Sequence, residues 1–177
     1  MGHGHARPVP LGTRPRDPVE GVTSRVRAAV AFCPPTDLLN YGAAGRSILD
    51  FRFDLSGSSF GVANLQARGP FAFRTFNPLT IGFTPVTDAA KVKELLAQVS
   101  PITHVSKDSA PALIFHGDAD PNVPVQQSET FAAKMAAAGV PVKLVVRRGV
   151  GHDGVRRELV PEVADWLDGQ FQPAAGR

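Results

Sequence analysis

The last third of the chain alternates strand, helix, strand and helix patterns with short connections, and this order leaves few folds open. ALIFHG, residues 112–117, is the uninterrupted apolar run of a buried strand. QQSETFAAKMAAAG, residues 126–139, predicts a helix with Phe131 and Met135 facing inward and Gly139 as its terminator. VKLVVR, residues 142–147, is a second strand, and ELVPEVADWLDGQF, residues 158–171, a closing helix with Leu159, Val163, Trp166 and Leu167 on one side. Strand, helix, strand in this order calls for a parallel sheet with right-handed crossovers. A helix of about 13 residues runs about 20 Å back across the sheet. A six-residue strand returns a similar distance, so successive strand ends meet on one side. The expected fold class is α/β, a short and mostly parallel sheet with flanking helices.

Upstream the pattern weakens. Residues 1–24, rich in Gly, Pro, Arg and His, read as a loop-like arm. Met1-Gly2-His3 offers nitrogens for a square-planar metal, but a tag-like start accounts for it and no metal is assigned. RVRAAVAF, residues 25–32, reads as a buried strand stopped by Pro34-Pro35. Residues 38–87 carry many Phe, Gly, Ser and Asn without a sustained period, as expected of an insertion laid over a core, with a short hairpin around 71–83. Asp88 then caps a predicted helix, DAAKVKELLAQV, with Val92, Leu95, Leu96 and Val99 in one stripe. The partial domain is expected over 25–171, and 172–177 form a tail.

Composition narrows the class. With 177 residues and 43% hydrophobic content the chain can bury one core without staples. A single cysteine, Cys33, excludes an internal disulfide framework and a cysteine-rich zinc site. No apolar run approaches the roughly 18 residues of a membrane span, and MGHGHARPVP lacks the apolar centre of a signal peptide, so neither membrane nor compartment is indicated. The net charge of +3 comes from scattered arginines, paired only at Arg147-Arg148 and Arg156-Arg157. Without aromatic-interleaved basic stripes, this reads as a solvated surface and not a nucleic-acid interface.

Chemistry is expected where the two strand ends meet. The loop after ALIFHG reads Gly117-Asp118-Ala119-Asp120-Pro121-Asn122-Val123-Pro124; the loop after VKLVVR reads Gly149-Val150-Gly151-His152-Asp153-Gly154. Neighbouring parallel strands lie about 4.8 Å apart, so an acid on the first loop reaches a histidine on the second. Asp118 and Asp120 both qualify on this ground. A carboxylate so placed fixes the imidazole tautomer and stabilises the imidazolium formed when the other nitrogen takes a proton.

The segment PALIFHGDADPNVPVQQSETFAAKMAAAGVPVKLVVRRGVGH resembles the C-terminal portion of an α/β-hydrolase of the esterase/lipase and prolyl-oligopeptidase-like group. In that group H-G-x-x-D-x-x-V-P carries the catalytic acid and G-x-G-H the base. SRVRAAVAFCPPTDLLN is similar to the strand and P-T-D-L turn following the nucleophile helix there, and KVKELLAQVSPITHV to the helix before the acid strand. Carried over by position, the resemblance makes Asp120 the acid and His152 the base. Asp118 then closes a turn, and Asp37 holds its own loop by local hydrogen bonds. His116 is expected to be structural, and His104 a packing or capping residue. Cys33, lacking a G-x-C-x-G setting, reads as a buried small apolar residue.

The nucleophile is the gap. The resemblance places a serine on a turn before residue 22, yet no serine precedes Ser24. Gly57-Ser58-Ser59-Phe60-Gly61 does match G-x-S-x-G, so Ser59 is a candidate nucleophile. It would need a further buried strand before ALIFHG, and NPLTIGFTPVT with its two prolines is a poor one; a turn in the cap-like insertion is the simpler reading. The expected fold is therefore the C-terminal part of an α/β-hydrolase, lacking its nucleophile. The implied chemistry is acyl transfer on esters without metal or organic cofactor, with a prolyl-oligopeptidase-like peptidase domain, or a non-catalytic binding or assembly domain, as alternatives. An open sheet edge suggests a homodimer or a complementing N-terminal half as partner.

Overall fold

The computed structural model describes residues 25–51, 73–155 and 159–171. Three strands form a parallel sheet: β1 (Ala29–Phe32), β4 (Ala112–Gly117) and β5 (Val142–Arg147), in the order β1-β4-β5. Between β1 and β4 the chain forms β2 (Arg74–Asn77), β3 (Gly82–Pro85) and helix α1 (Ala89–Val99); α2 (Gln126–Ala137) links β4 to β5, and α3 (Val160–Phe171) follows. The parallel α/β arrangement expected from the alternating pattern is present. Among the described residues no helix is long and apolar enough to cross a membrane.

Strand β4 is central and wholly buried, which explains its unbroken apolar run. Its side chains alternate between two layers. Leu113 and Phe115 pack with Leu96 of α1, Leu159, Val163 and Trp166 at α3, and Leu38, Tyr41 and Ile48 of the loop after β1. Ala112 and Ile114 face Met135 and Phe131 of α2, with Val140, Val142 and Leu144. His116 belongs to that second face and meets α2 through Ser128, its Nδ1 lying 2.6 Å from Ser128 Oγ.

Strand β1 is shorter than the 25–32 expected. Ala29 pairs with Ala112, and the Ala29 N–H reaches the Pro111 carbonyl at 2.9 Å. Pro111 has no N–H to return, so the ladder stops there. At its other end Cys33 is buried, turns to a φ of +46° and donates its N–H to Phe115 O at 2.8 Å.

The loop that follows is tied to α2 by buried polar groups. Gln127 Oε1 accepts the N–H groups of Thr36 and Asp37 at 2.9 and 2.7 Å, and Thr36 Oγ1 donates to the Gln127 carbonyl at 2.6 Å. Asp37 accepts from the Leu39 and Asn40 amides, the local role expected of it. Ser100 Oγ donates to Leu96 O and accepts the Leu38 N–H, anchoring the same loop to the end of α1.

Asp88 caps α1 by accepting the Lys91 N–H at 2.7 Å. Of the predicted stripe, Leu96 is buried and Val92 packs on the core, but Val99 is 52% exposed, because the helix ends there and Ser100 turns the chain away. Gly139, at φ +75°, ends α2 as expected. The hairpin falls at β2 and β3, slightly downstream of the expected position, with Phe76 edge-on to Phe83 at 5.5 Å between ring centroids.

Candidate active site

The loops after β4 and β5 lie against each other at the C-terminal edge of the sheet. Asp118 N–H donates to Arg147 O at 3.0 Å, Ala119 N–H to Val150 O at 3.2 Å, and the Asp118 carboxylate accepts the Gly149 N–H at 2.6 Å. Gly149 has a φ of +69°, which lets this loop turn back. Asp118 therefore laces the two loops together, and the histidine belongs to the other acid.

Asp120 Oδ2 lies 2.7 Å from His152 Nδ1. The Asp120 side chain is fully buried, whereas that of His152, on the short helical turn 152–155, is 28% exposed. Asp120 Oδ1 accepts the N–H groups of Asn122 and Val123 at 2.8 and 2.9 Å, and His116 Nε2 stands 3.5 Å from Oδ2. Burial pushes the carboxyl up, but the donors His116, the Val123 N–H, His152 and the Asn122 N–H outweigh it and hold the group well below the usual carboxylate range. As an anion it can only accept, so His152 carries hydrogen on Nδ1 and keeps Nε2 as the basic atom.

His116 is completely buried between β4 and α2, in keeping with the structural role expected. Its Nε2 lies 2.8 Å from the Val123 carbonyl and its Nδ1 meets Ser128. His104 is exposed and donates from Nε2 to Gln98 O at 2.6 Å, capping the end of α1. Cys33 Sγ, a His116 nitrogen and an Asp120 oxygen lie within 4.8 Å of one another. Both nitrogens of His116 and both oxygens of Asp120 are already engaged in the network above, so this donor set is committed and no metal is assigned to it. Ser59 lies outside the described residues.

Sequence patterning missed Tyr41. It is buried, donates its hydroxyl to Asn122 O at 2.9 Å, and packs edge-on to Phe51. Burial, then the Asp120 charge, push its ionisation up, so it stays a phenol and a donor to the acid loop. The one available signal was that this is the only tyrosine in the chain, placed in the turn that Asp37 begins.

The model of the prolyl oligopeptidase family (peptidase S9) matches residues 52–174, more than half the chain. The chain belongs to the prolyl oligopeptidase family. No curated protein matches it. Among solved structures, a truncated carbohydrate esterase from gut microbiota is 23% identical with a TM-score of 0.55, covering 82% of this chain and 42% of that one. A bifunctional GH43-CE protein of Bacteroides eggerthii is 20% identical with a TM-score of 0.56, covering 85% and 17%. Native esterase Est2 of Thermogutta terrifontis is 21% identical with a TM-score of 0.51, covering 93% and 50%. At these identities the likeness establishes the α/β-hydrolase fold of this prolyl oligopeptidase family member. The chain spans half or less of each of these structures.

Proposed function

We propose that this prolyl oligopeptidase family chain carries the acid and base of a serine hydrolase of the carboxylesterase type, Asp120 and His152. The supporting observation is the 2.7 Å contact between Asp120 Oδ2 and His152 Nδ1 at the meeting of two strand ends. A serine hydroxyl attacks the ester carbonyl and gives its proton to His152 Nε2; the imidazolium, held by Asp120, returns it to the departing alcohol. Water then repeats the transfer on the acyl-enzyme and releases the acid. The chain spans only part of its structural neighbours, and the proposal includes a longer parent whose remaining part supplies the nucleophile and covers the edge of β1 that is unpaired among the described residues.

The family match favours a second reading, in which the bond cleaved is a peptide. One experiment separates the outcomes: turnover of short p-nitrophenyl esters and of peptide anilides, with fluorophosphonate labelling and peptide mapping, for this chain and for the reading frame extended upstream. Ester turnover that falls by about 10³-fold or more in His152→Ala supports the proposal. Anilide turnover alone supports the peptidase, and the mapped serine decides whether Ser59 or another residue is the nucleophile. Folded products that neither label nor turn over either substrate overturn both.

A further inference from the structure

Asp120 Oδ2 is flanked by two histidines, and only one belongs to the dyad. His116 comes from β4, four residues before the acid, and is fully buried with its Nε2 2.8 Å from Val123 O and 3.5 Å from Asp120 Oδ2. A carbonyl oxygen can only accept, so the hydrogen of His116 sits on Nε2, pointing between Val123 and Asp120. The other nitrogen then accepts the hydroxyl of Ser128, an equally buried residue of α2. Every polar atom of the ring is thereby satisfied, and its orientation is set from two elements, strand and helix.

We propose that His116 is a positioning residue: it acts through Asp120, fixing the acid loop and sharing the carboxylate with His152. The value of the role for acyl transfer rests on the function proposed above; the role itself is a property of the fold. Val123, to which His116 donates, is also the residue whose N–H holds Oδ1, so one ring supports both oxygens of the carboxylate. An Asp120 relieved of this donor is more basic and takes up a proton at higher pH. The titratable groups around Asp120 are His116 from β4, His152 from the turn after β5, Tyr41 from the loop after β1, and Cys33 at the end of β1. Of the two histidines only His116 is wholly enclosed, so solvent cannot replace its hydrogen bonds.

The test is nuclear magnetic resonance of the intact chain, which needs no activity and therefore stands or falls apart from the hydrolase reading. Ring ¹⁵N shifts of the unmutated protein should show His116 in its Nε2–H form; the Nδ1–H form would overturn the proposal without any variant. Titration of the Asp120 carboxyl carbon should then show its midpoint raised in His116→Leu by about one pH unit. His116→Gln, which keeps an N–H donor, should bring that midpoint back toward the unmutated protein. An unchanged Asp120 midpoint in a folded His116→Leu, or equal shifts in the leucine and glutamine variants, would show that the ring only fills space.

Discussion

Gly117 lies against the backbone of Val150: a methyl group built on Gly117 would overlap the Val150 carbonyl oxygen and stand 2.6 Å from its carbonyl carbon. The missing side chain is what lets the histidine loop close over the end of β4. Gly117→Ala should destabilise the chain by about 1–3 kcal/mol, since backbone atoms must move to admit the methyl. The same variant should lose the Asp120–His152 contact. Urea unfolding reads the first effect and the His152 ring spectrum the second.

Asp118 and Asp120, two residues apart, should behave differently. Asp118 accepts the Gly149 N–H at an exposed site, so Asp118→Ala should cost only about 1 kcal/mol and leave the His152 tautomer unchanged. Asp120→Asn should disturb that tautomer outright, because an amide can present a donor to Nδ1. The two ring spectra decide which acid holds the base.

Acid should destabilise the fold through Asp120. Its carboxyl titrates below the unfolded value of 3.8, so its contribution is fully present above that pH and is lost as pH falls below it. The stability gap between the unmutated chain and Asp120→Asn should therefore be widest near neutrality and narrow below about pH 4. Urea midpoints measured from pH 7 downward check this; a gap constant with pH would rule it out.

Much of this arrangement was legible. Strands β4 and β5 fall at the residues their apolar runs predict, and the acid and histidine loops follow from parallel pairing alone. Choosing Asp120 over Asp118 took the family resemblance, because both carboxylates sit at a strand end and spacing does not rank them. What stayed hidden were contacts between residues far apart in the chain. Nothing in the pattern around Tyr41 names Asn122, and Gln127 sits in a helix as an ordinary polar residue until the Thr36 and Asp37 amides are seen on it. The early end of β1 was written in Pro111, but only a known register shows that proline opposite it.

Gln127 should be among the least replaceable polar residues. Gln127→Ala leaves the Thr36 and Asp37 amides without their acceptor, and also removes the donor to Asn40 O. Stranded buried amides cost about 1–3 kcal/mol each, so a total loss of about 3 kcal/mol is expected in urea unfolding. A loss under 1 kcal/mol would mean that water reaches the site.

Ile81 offers the opposite case. It has a φ of +50° in the turn between β2 and β3 while its side chain is 84% exposed, so a branched residue carries left-handed strain with little burial to offset it. Ile81→Gly should stabilise the hairpin by about 1 kcal/mol, seen as roughly fivefold greater hydrogen-exchange protection across 74–85.

Asp120 and His152 are 32 residues apart, on the loops that follow the neighbouring strands β4 and β5, with α2 as the one helix between them. Strand β1 must instead find its partner across roughly eighty residues, a longer closure with a larger entropic cost. By contact order, the acid and base are expected to come together with the most local unit of the parallel sheet, before β1 is added to it.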